Sequence, residues 1–144
     1  MIRYQTGAGL IESLISLVIL SVGMLGLIAM QAFLIQENSD SRTRMEAGFF
    51  ATSLLGNAAA DAAHAGCFIV NSAATAPCTS VDARAQATQW INDVLAALPS
   101  AAALPPVVAY DATNGQMSVT LRWQPHGDTT IHNYVAISQV SAGL

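Results

Sequence analysis

The first third of the chain carries one long apolar run. Residues 13–36 contain no charged side chain, and most of them are Leu, Ile, Val, Met, Ala or Gly. A helix of about 24 residues is about 36 Å long at 1.5 Å per residue, which is enough to cross the hydrocarbon core of a bilayer. The pattern therefore predicts one membrane-spanning helix with a single carboxylate, Glu12, near its start.

The helical pattern continues beyond Glu37. No Pro occurs before residue 65, and apolar residues recur at spacings of three and four, which is typical of one apolar stripe on a helix. The stripe consists of Met45, Phe49, Thr52, Leu55, Ala59 and Ala62. We expect one long helix from about Gly9 to about Ala63, packed over its second half, with Gly66 as its stop.

The region near residues 79–99 favours a second, shorter helix. Thr79 or Ser80 is positioned to cap its N-terminus, and Asp82 in the first turn suits the helix dipole. Pro99 ends the helix. The predicted buried face consists of Trp90, Val94 and Leu98, with Ile91 and Leu95 beside them.

The last forty residues alternate with a period of two, which is typical of half-buried β-strands. A strand at 106–110 is followed by Asn114-Gly115, a pair that supplies the positive φ angles of a tight hairpin. The second strand has Met117, Val119, Leu121 and Trp123 on one side, and Ile131, Asn133, Val135 and Ile137 continue the alternation in a third. The expected fold class is α+β: a long helix whose outer half packs on a small antiparallel sheet, with a short second helix.

Composition supports a membrane-associated chain. The chain has 144 residues, enough for one domain with a modest core; 53% of the residues are hydrophobic and only 10% are charged. The formal net charge is −4 and no basic run exists, so we expect no nucleic-acid binding. Arg3, the sole charge before Glu12, favours a cytoplasmic N-terminus.

Cys67 and Cys78 lie in a stretch rich in Ala, Ser, Thr and Pro. In an oxidising compartment they would form a loop-closing disulfide that contributes about 2–3 kcal/mol. One alternative is a pair of free buried thiols. The other is a metal site formed with His64, but the sequence has no fourth ligand at a recognisable spacing for such a site. We expect no metal site, and we expect His126 and His132, in a turn and a strand, to be surface residues. Trp90, Trp123 and Tyr134 are most simply core aromatics.

Glu12 is the costly feature of the apolar run, since an isolated charge in hydrocarbon costs on the order of 3 kcal/mol. The stretch Gly7-Ala8-Gly9-Leu10-Ile11-Glu12, followed by the unbroken apolar run, resembles the class III signal of type IV pilins and pseudopilins. The resemblance implies that a prepilin peptidase cuts between Gly7 and Ala8 and that Ala8 becomes the N-methylated terminus, where the family usually has Phe. It also implies that Glu12 pairs with the new α-ammonium of a neighbouring subunit.

Within this family the sequence is similar to the minor pilins of type IV pili. In these proteins a leucine-rich helix runs into a Ser-x-Gly-x-Leu-Gly-Leu stretch and a Gln, which correspond here to Ser21, Gly23, Leu25, Gly26, Leu27 and Gln31. The resemblance implies a type IV pilin fold in three parts. These are a leader peptide at 1–7, a transmembrane and filament-core helix at 8–36, and a periplasmic head at 37–144.

The resemblance also implies a function and a set of partners. The chain would span the inner membrane once, with a periplasmic head, and would later enter the pilus at the cell surface. It would join other minor pilins and the major pilin in a tip complex that primes pilus assembly and supports adhesion and twitching motility. The expected partners also include the prepilin peptidase, the inner-membrane assembly platform and a tip adhesin.

Two other functions fit parts of this pattern. A minor pseudopilin of a type II secretion system shares the cleavage motif and the fold, and an uncleaved single-pass protein with a periplasmic binding domain shares the anchor. A secretory signal peptide is disfavoured because the run is long and "AMQAFLIQ" offers no small-x-small cleavage site. The sequence contains no Gly-rich phosphate loop or nucleophile elbow, so we expect neither an enzyme nor a cofactor.

Overall fold

A 53-residue helix, α1 (Ala8–Ala60), begins the computed structural model, which describes residues 8–73, 77–125 and 127–140. A short 3₁₀ segment (Ala62–Phe68) follows, and then a second helix, α2 (Val81–Ala97). Three strands complete the chain: β1 (Val107–Asp111), β2 (Gln116–Trp123) and β3 (His132–Gln139). The α+β class is confirmed. The contacts within the chain divide it into two compact units, one ending at Ser39 and one beginning at Asp40.

The three strands form an antiparallel meander in the order β1-β2-β3. Val119 lies at its centre, paired with Val108 on one side and Ala136 on the other. The side chains that β2 turns towards the helices are fully buried, as the alternation predicts. They are Met117, Val119, Leu121 and Trp123.

The packed face of α1 agrees with the predicted stripe only in part. Leu55 is buried and Ala62 packs against the core, as predicted, but Met45 and Phe49 are 70% and 69% exposed, and Thr52 and Ala59 are also exposed. The other buried residues of α1 are Ala47, Ala51, Leu54 and Ala58. Alanine side chains are short, so other parts of the core can pack close to the helix backbone on this face. A prediction from hydrophobicity alone favours Met and Phe and does not take this close packing into account.

Tyr134 of β3 packs over Gly48 of α1. A Cβ atom added at Gly48 would lie 3.6 Å from both Cζ and Oη of Tyr134. The phenol ring of Tyr134 therefore lies directly over this position of the helix.

The face of β3 that packs against the core is not the face that carries its most apolar residues. Ile131, Val135 and Ile137 are 54%, 50% and 59% exposed, while Tyr134 and Ala136 pack against the core. A shift of one residue exchanges the two faces of a strand, so long-range packing decides between them. Here the ring of Tyr134 covers Gly48, and the ring of His132 stacks on buried Trp123 with centroids 5.8 Å apart.

The β1–β2 connection is wider than the predicted tight hairpin. It comprises residues 112–115, and of the Asn114-Gly115 pair only Gly115 has a positive φ, at 67°. The Asp111 side chain accepts a hydrogen bond from the backbone N–H of Thr113, and the Asn114 side chain accepts one from Gln116, both at 2.9 Å. These side chains bind the backbone donors of the turn, which favours the longer loop.

The second helix follows the sequence prediction closely. Ser80 is its N-cap, and its hydroxyl accepts a hydrogen bond from the backbone N–H of Ala83 at 3.2 Å. Trp90, Val94 and Leu98 are buried, whereas Leu95 is 37% exposed. The predicted stop of the long helix is wrong, because α1 ends at Ala60 and Gly66 lies inside the 3₁₀ segment.

The Gly48–Tyr134 contact predicts unequal effects of two substitutions. We expect Gly48→Leu to destabilise the head by about 1–3 kcal/mol, because the larger side chain must displace the phenol ring. Gly48→Ala makes only an ordinary contact at 3.6 Å and is expected to be neutral or to stabilise by up to about 1 kcal/mol through helix propensity. Urea unfolding of both variants in detergent measures the difference, and equal stability would contradict the close packing.

Candidate functional site

The first half of α1 is apolar on every side. The large apolar side chains from Leu10 to Ile35 are 51% to 74% exposed, and the most apolar 18-residue window has a mean hydropathy of 2.4. A helix that is apolar all round needs a non-aqueous environment. This helix is long and apolar enough to span a membrane.

The polar side chains of this segment differ in whether the helix itself satisfies them. Three serine hydroxyls donate to the carbonyl oxygen four residues earlier, at 2.6 to 2.8 Å; these are Ser13, Ser16 and Ser21. Such bonds remove the need of a hydroxyl for water. The Glu12 carboxylate has no hydrogen-bond or ion-pair partner in the part of the chain that the structure describes. Between Gly9 and Leu25, the three serines are therefore satisfied within the helix, and Glu12 is the polar side chain without a partner among the described residues.

Glu12 is exposed on the helix surface, beside Ile11, Ile15 and Ser16. It follows Ala8, the first helical residue, by four positions, so the two share a helix face about 6 Å apart along the axis. A positive charge on the backbone nitrogen of Ala8 would lie in the same layer as the carboxylate. Gly7 lies outside the described residues, and a cut between Gly7 and Ala8 stays a prediction.

The two cysteines form a disulfide, as predicted. The Cα atoms of Cys67 and Cys78 are 4.6 Å apart, and the bond ties the 3₁₀ segment to the stretch before α2. The two alternatives, free thiols and a metal site with His64, are therefore wrong. The Nδ1 atom of His64 lies 2.7 Å from a carboxylate oxygen of Asp61 instead.

His132 is not the surface residue that the sequence predicts. Its ring stacks on Trp123, and its Nε2 lies 3.3 Å from a carboxylate oxygen of Asp128. The backbone N–H of Thr130, followed by the side chains of His132 and Thr130, lowers the pKa of the Asp128 carboxyl. His126 lies outside the described residues. Over 8–73, 77–125 and 127–140, no three His, Cys, Asp or Glu side chains cluster as a metal site would require.

Two apolar surfaces of the head were assigned to the core by the sequence pattern. One is formed by Met45 and Phe49 on α1, and the other by Val135 and Ile137 on β3. For β3, the sequence could have indicated the buried face through Tyr134 and Ala136, because an aromatic ring and a small residue can also pack against a core.

No model of a known protein family matches the chain, and neither a curated protein nor a solved structure matches it. The features that bear on function are therefore those of the chain itself. They are an apolar helix segment with Glu12, a carboxylate that has no partner among the described residues, and a small disulfide-bonded head.

The disulfide predicts a specific pattern of stability losses. Cys67→Ser, Cys78→Ser and the double variant are each expected to lose about 2–4 kcal/mol of unfolding free energy, because each lacks the same cross-link. Urea unfolding measures the losses, and a reductant should lower the stability of the unmodified chain without affecting the double variant. Losses that add in the double variant would show that the thiols act separately.

Proposed function

We propose that the chain is a minor pilin of a type IV pilus, of the PilV type. The observation that carries the proposal is Glu12, a carboxylate without a described partner in a helix segment, residues 9–25, whose other side chains are apolar or bonded within the helix. It stands five residues after Gly7, which is the spacing of the prepilin signal. The α+β fold, with a long helix against a small antiparallel sheet, supports the same proposal.

The proposed mechanism begins with the helix stored in the inner membrane, its N-terminus in the cytoplasm and its head in the periplasm. The prepilin peptidase cuts between Gly7 and Ala8, which creates an α-ammonium that did not exist before. A charge pair in a medium of low dielectric offsets part of the desolvation of each partner. The new ammonium of a neighbouring subunit therefore binds Glu12, and the pair sets the register between the two helices.

The partners follow from this mechanism. The assembly platform of the inner membrane moves the cut subunit out of the bilayer into a complex with other minor pilins and the major pilin. This complex primes the pilus and presents an adhesin at its tip, which supports attachment and twitching motility. The chain has no catalytic role in this scheme and uses no cofactor.

A minor pseudopilin of a type II secretion system is the second candidate, because the cleavage motif and the fold suit both machines. The run of Ser21, Gly23, Leu25, Gly26 and Leu27 and the disulfide favour the pilus. Deletion of the gene distinguishes them: a minor pilin deletion removes surface pili and spares secretion, and the reverse result identifies a pseudopilin.

The first test concerns processing. After co-expression with a prepilin peptidase, we expect mass spectrometry of the purified chain to find Ala8 at the N-terminus, with one added methyl group. A Gly7→Leu variant serves as the uncut control, because the bulky side chain does not fit where the peptidase requires Gly. An intact Met1 in the unmodified chain would exclude the pilin proposal.

The second test concerns Glu12 after processing. Glu12→Gln should be cut normally, while its amount in sheared pili should fall about tenfold or more, which corresponds to about 1.4 kcal/mol or more of lost pairing. Ser13→Ala is the matched control, since its hydroxyl is bonded within the helix and its removal should leave incorporation unchanged. Normal incorporation of Glu12→Gln would contradict the pairing role.

A further inference from the structure

Within the head, α1 carries an exposed stripe on the side opposite its buried face. The residues of this stripe follow one another at alternating spacings of three and four, and all of them are exposed. We call this set the outer stripe: Arg42, Met45, Phe49, Thr52, Gly56 and Ala59. From Met45 to Gly56, each stripe residue is followed two positions later by a buried one. Two positions correspond to about 200° around a helix, so the outer stripe faces away from the core.

Gly56 has no structural explanation within one copy of the chain. Glycine weakens the interior of a helix relative to alanine. At Gly48, the ring of Tyr134 limits the size of the side chain that fits. A Cβ atom added at Gly56, in contrast, would meet no described side chain or neighbouring element within 4 Å. Glycine also permits the close approach of another backbone, so Gly56 points to a partner that comes close to α1 at this position.

The two polar side chains of the outer stripe are bonded within the helix. The hydroxyl of Thr52 donates to the carbonyl oxygen of Gly48 at 2.8 Å. The Nε atom of Arg42 lies 3.1 Å from a carboxylate oxygen of Glu46. Neither side chain therefore needs a polar partner from another molecule, and the large exposed apolar side chains of Met45 and Phe49 dominate the stripe.

We propose that the outer stripe packs against the outer stripe of a second copy of this chain, as a parallel pair of α1 helices. The two-fold axis of this pair runs along the helices. Alternating spacings of three and four form the contact seam of parallel helix pairs. In such a pair each stripe residue meets the same residue of the second copy. The two backbones approach most closely at Gly56 and Ala59, while the exposed side chains of Met45 and Phe49 cover each other.

Membrane anchoring favours a second copy as the occupant of the outer stripe. The apolar segment and the stripe belong to the same helix, which is long and apolar enough to span a membrane. Two copies anchored in one membrane by the same segment run in the same direction, and identical residues lie at the same level. A parallel two-fold pair requires this arrangement, because the same surface of both copies forms the contact. An unrelated partner would need a matching stripe at the same level.

The outer stripe covers about 27 Å of helix, which is short for an independent pair. A coiled coil sustains its pattern over at least about three heptads, so the pairing is weak in dilute solution. Confinement to a membrane raises the local concentration of neighbouring copies, as a linker does for tethered modules. The pairing therefore needs the membrane segment, but it needs no cut after Gly7. It can be tested on the uncut chain, independently of the proposed pilin function.

Disulfide cross-linking of the full, uncut chain tests the pairing. The purified protein is reconstituted into phosphatidylcholine vesicles at a fixed ratio of lipid to protein, and mild oxidation is followed by non-reducing electrophoresis. Thr52→Cys and Ala59→Cys should each form several-fold more covalent dimer than Asn57→Cys, because only stripe residues lie opposite themselves. Asn57 is also exposed, but it lines the groove between α1 and α2. Mass spectrometry verifies the Cys67–Cys78 bond and identifies the residues that the new bond joins.

Two results of the cross-linking experiment would overturn the proposal. A dimer of Asn57→Cys as abundant as those of the stripe variants would show that the copies collide without a preferred face. In native membranes, a cross-linked product that contains a different protein instead of a second copy would show that the outer stripe has another occupant.

Substitution of Gly56 supplies an independent measurement. In the Ala59→Cys chain, Gly56→Leu should reduce the covalent dimer several-fold, because the larger side chain holds the two backbones apart although it has open space within one copy. Asn57→Leu is the matched control, since it adds the same side chain one residue away from the stripe and should leave the dimer unchanged. Circular dichroism checks that both variants keep the fold. An undiminished dimer of Gly56→Leu would overturn the close approach and with it the pairing.

Discussion

The structure depends on one helix that carries two different surfaces. Over its first half, α1 exposes large apolar side chains in all directions, and each gains about 1.5–3 kcal/mol when it leaves water. An isolated Glu12 costs about 3 kcal/mol in hydrocarbon, which is the gain from only one or two of these side chains. The apolar surface therefore outweighs the carboxylate many times. The charge therefore does not prevent a membrane location.

Over its second half, the same helix packs against the rest of the head through one face. Its buried face is narrow and rich in alanine, and Gly48 leaves room for the ring of Tyr134. Small residues bury little area themselves, but they bring the backbone of α1 close to its neighbours. The carbonyl oxygen of Phe50 accepts a hydrogen bond from the indole of Trp90 at 2.8 Å, which fixes α2 against α1. A buried indole N–H is usually hydrogen-bonded, so this bond adds a specific contact to the docking of α2. The Nε1 of buried Trp123, in contrast, has no hydrogen-bond partner among the described residues. The disulfide then holds the segment that leads from α1 to α2.

The sequence alone predicted the features that depend on residues close together in the chain. Periodicity identified the helices and the three strands, Ser80 was recognisable as a cap, and Glu12 stood out because charge is rare in an apolar run. It was insufficient where distant residues choose between two faces. Met45 and Phe49 lie on the more hydrophobic face of α1, yet Ala47 and Ala51 are the residues that are fully buried. In β3, Tyr134 packs over Gly48 while Val135 and Ile137 stay exposed, and alternation alone does not contain that information.

Glu12 is a carboxylate in an apolar helix segment, without a partner among the described residues. In the proposed pilin, the bond from the terminus of one subunit to the Glu12 of the next is heterologous, because it joins two different surfaces. A heterologous contact does not close after two copies, so the same pair of groups can repeat from subunit to subunit along a filament.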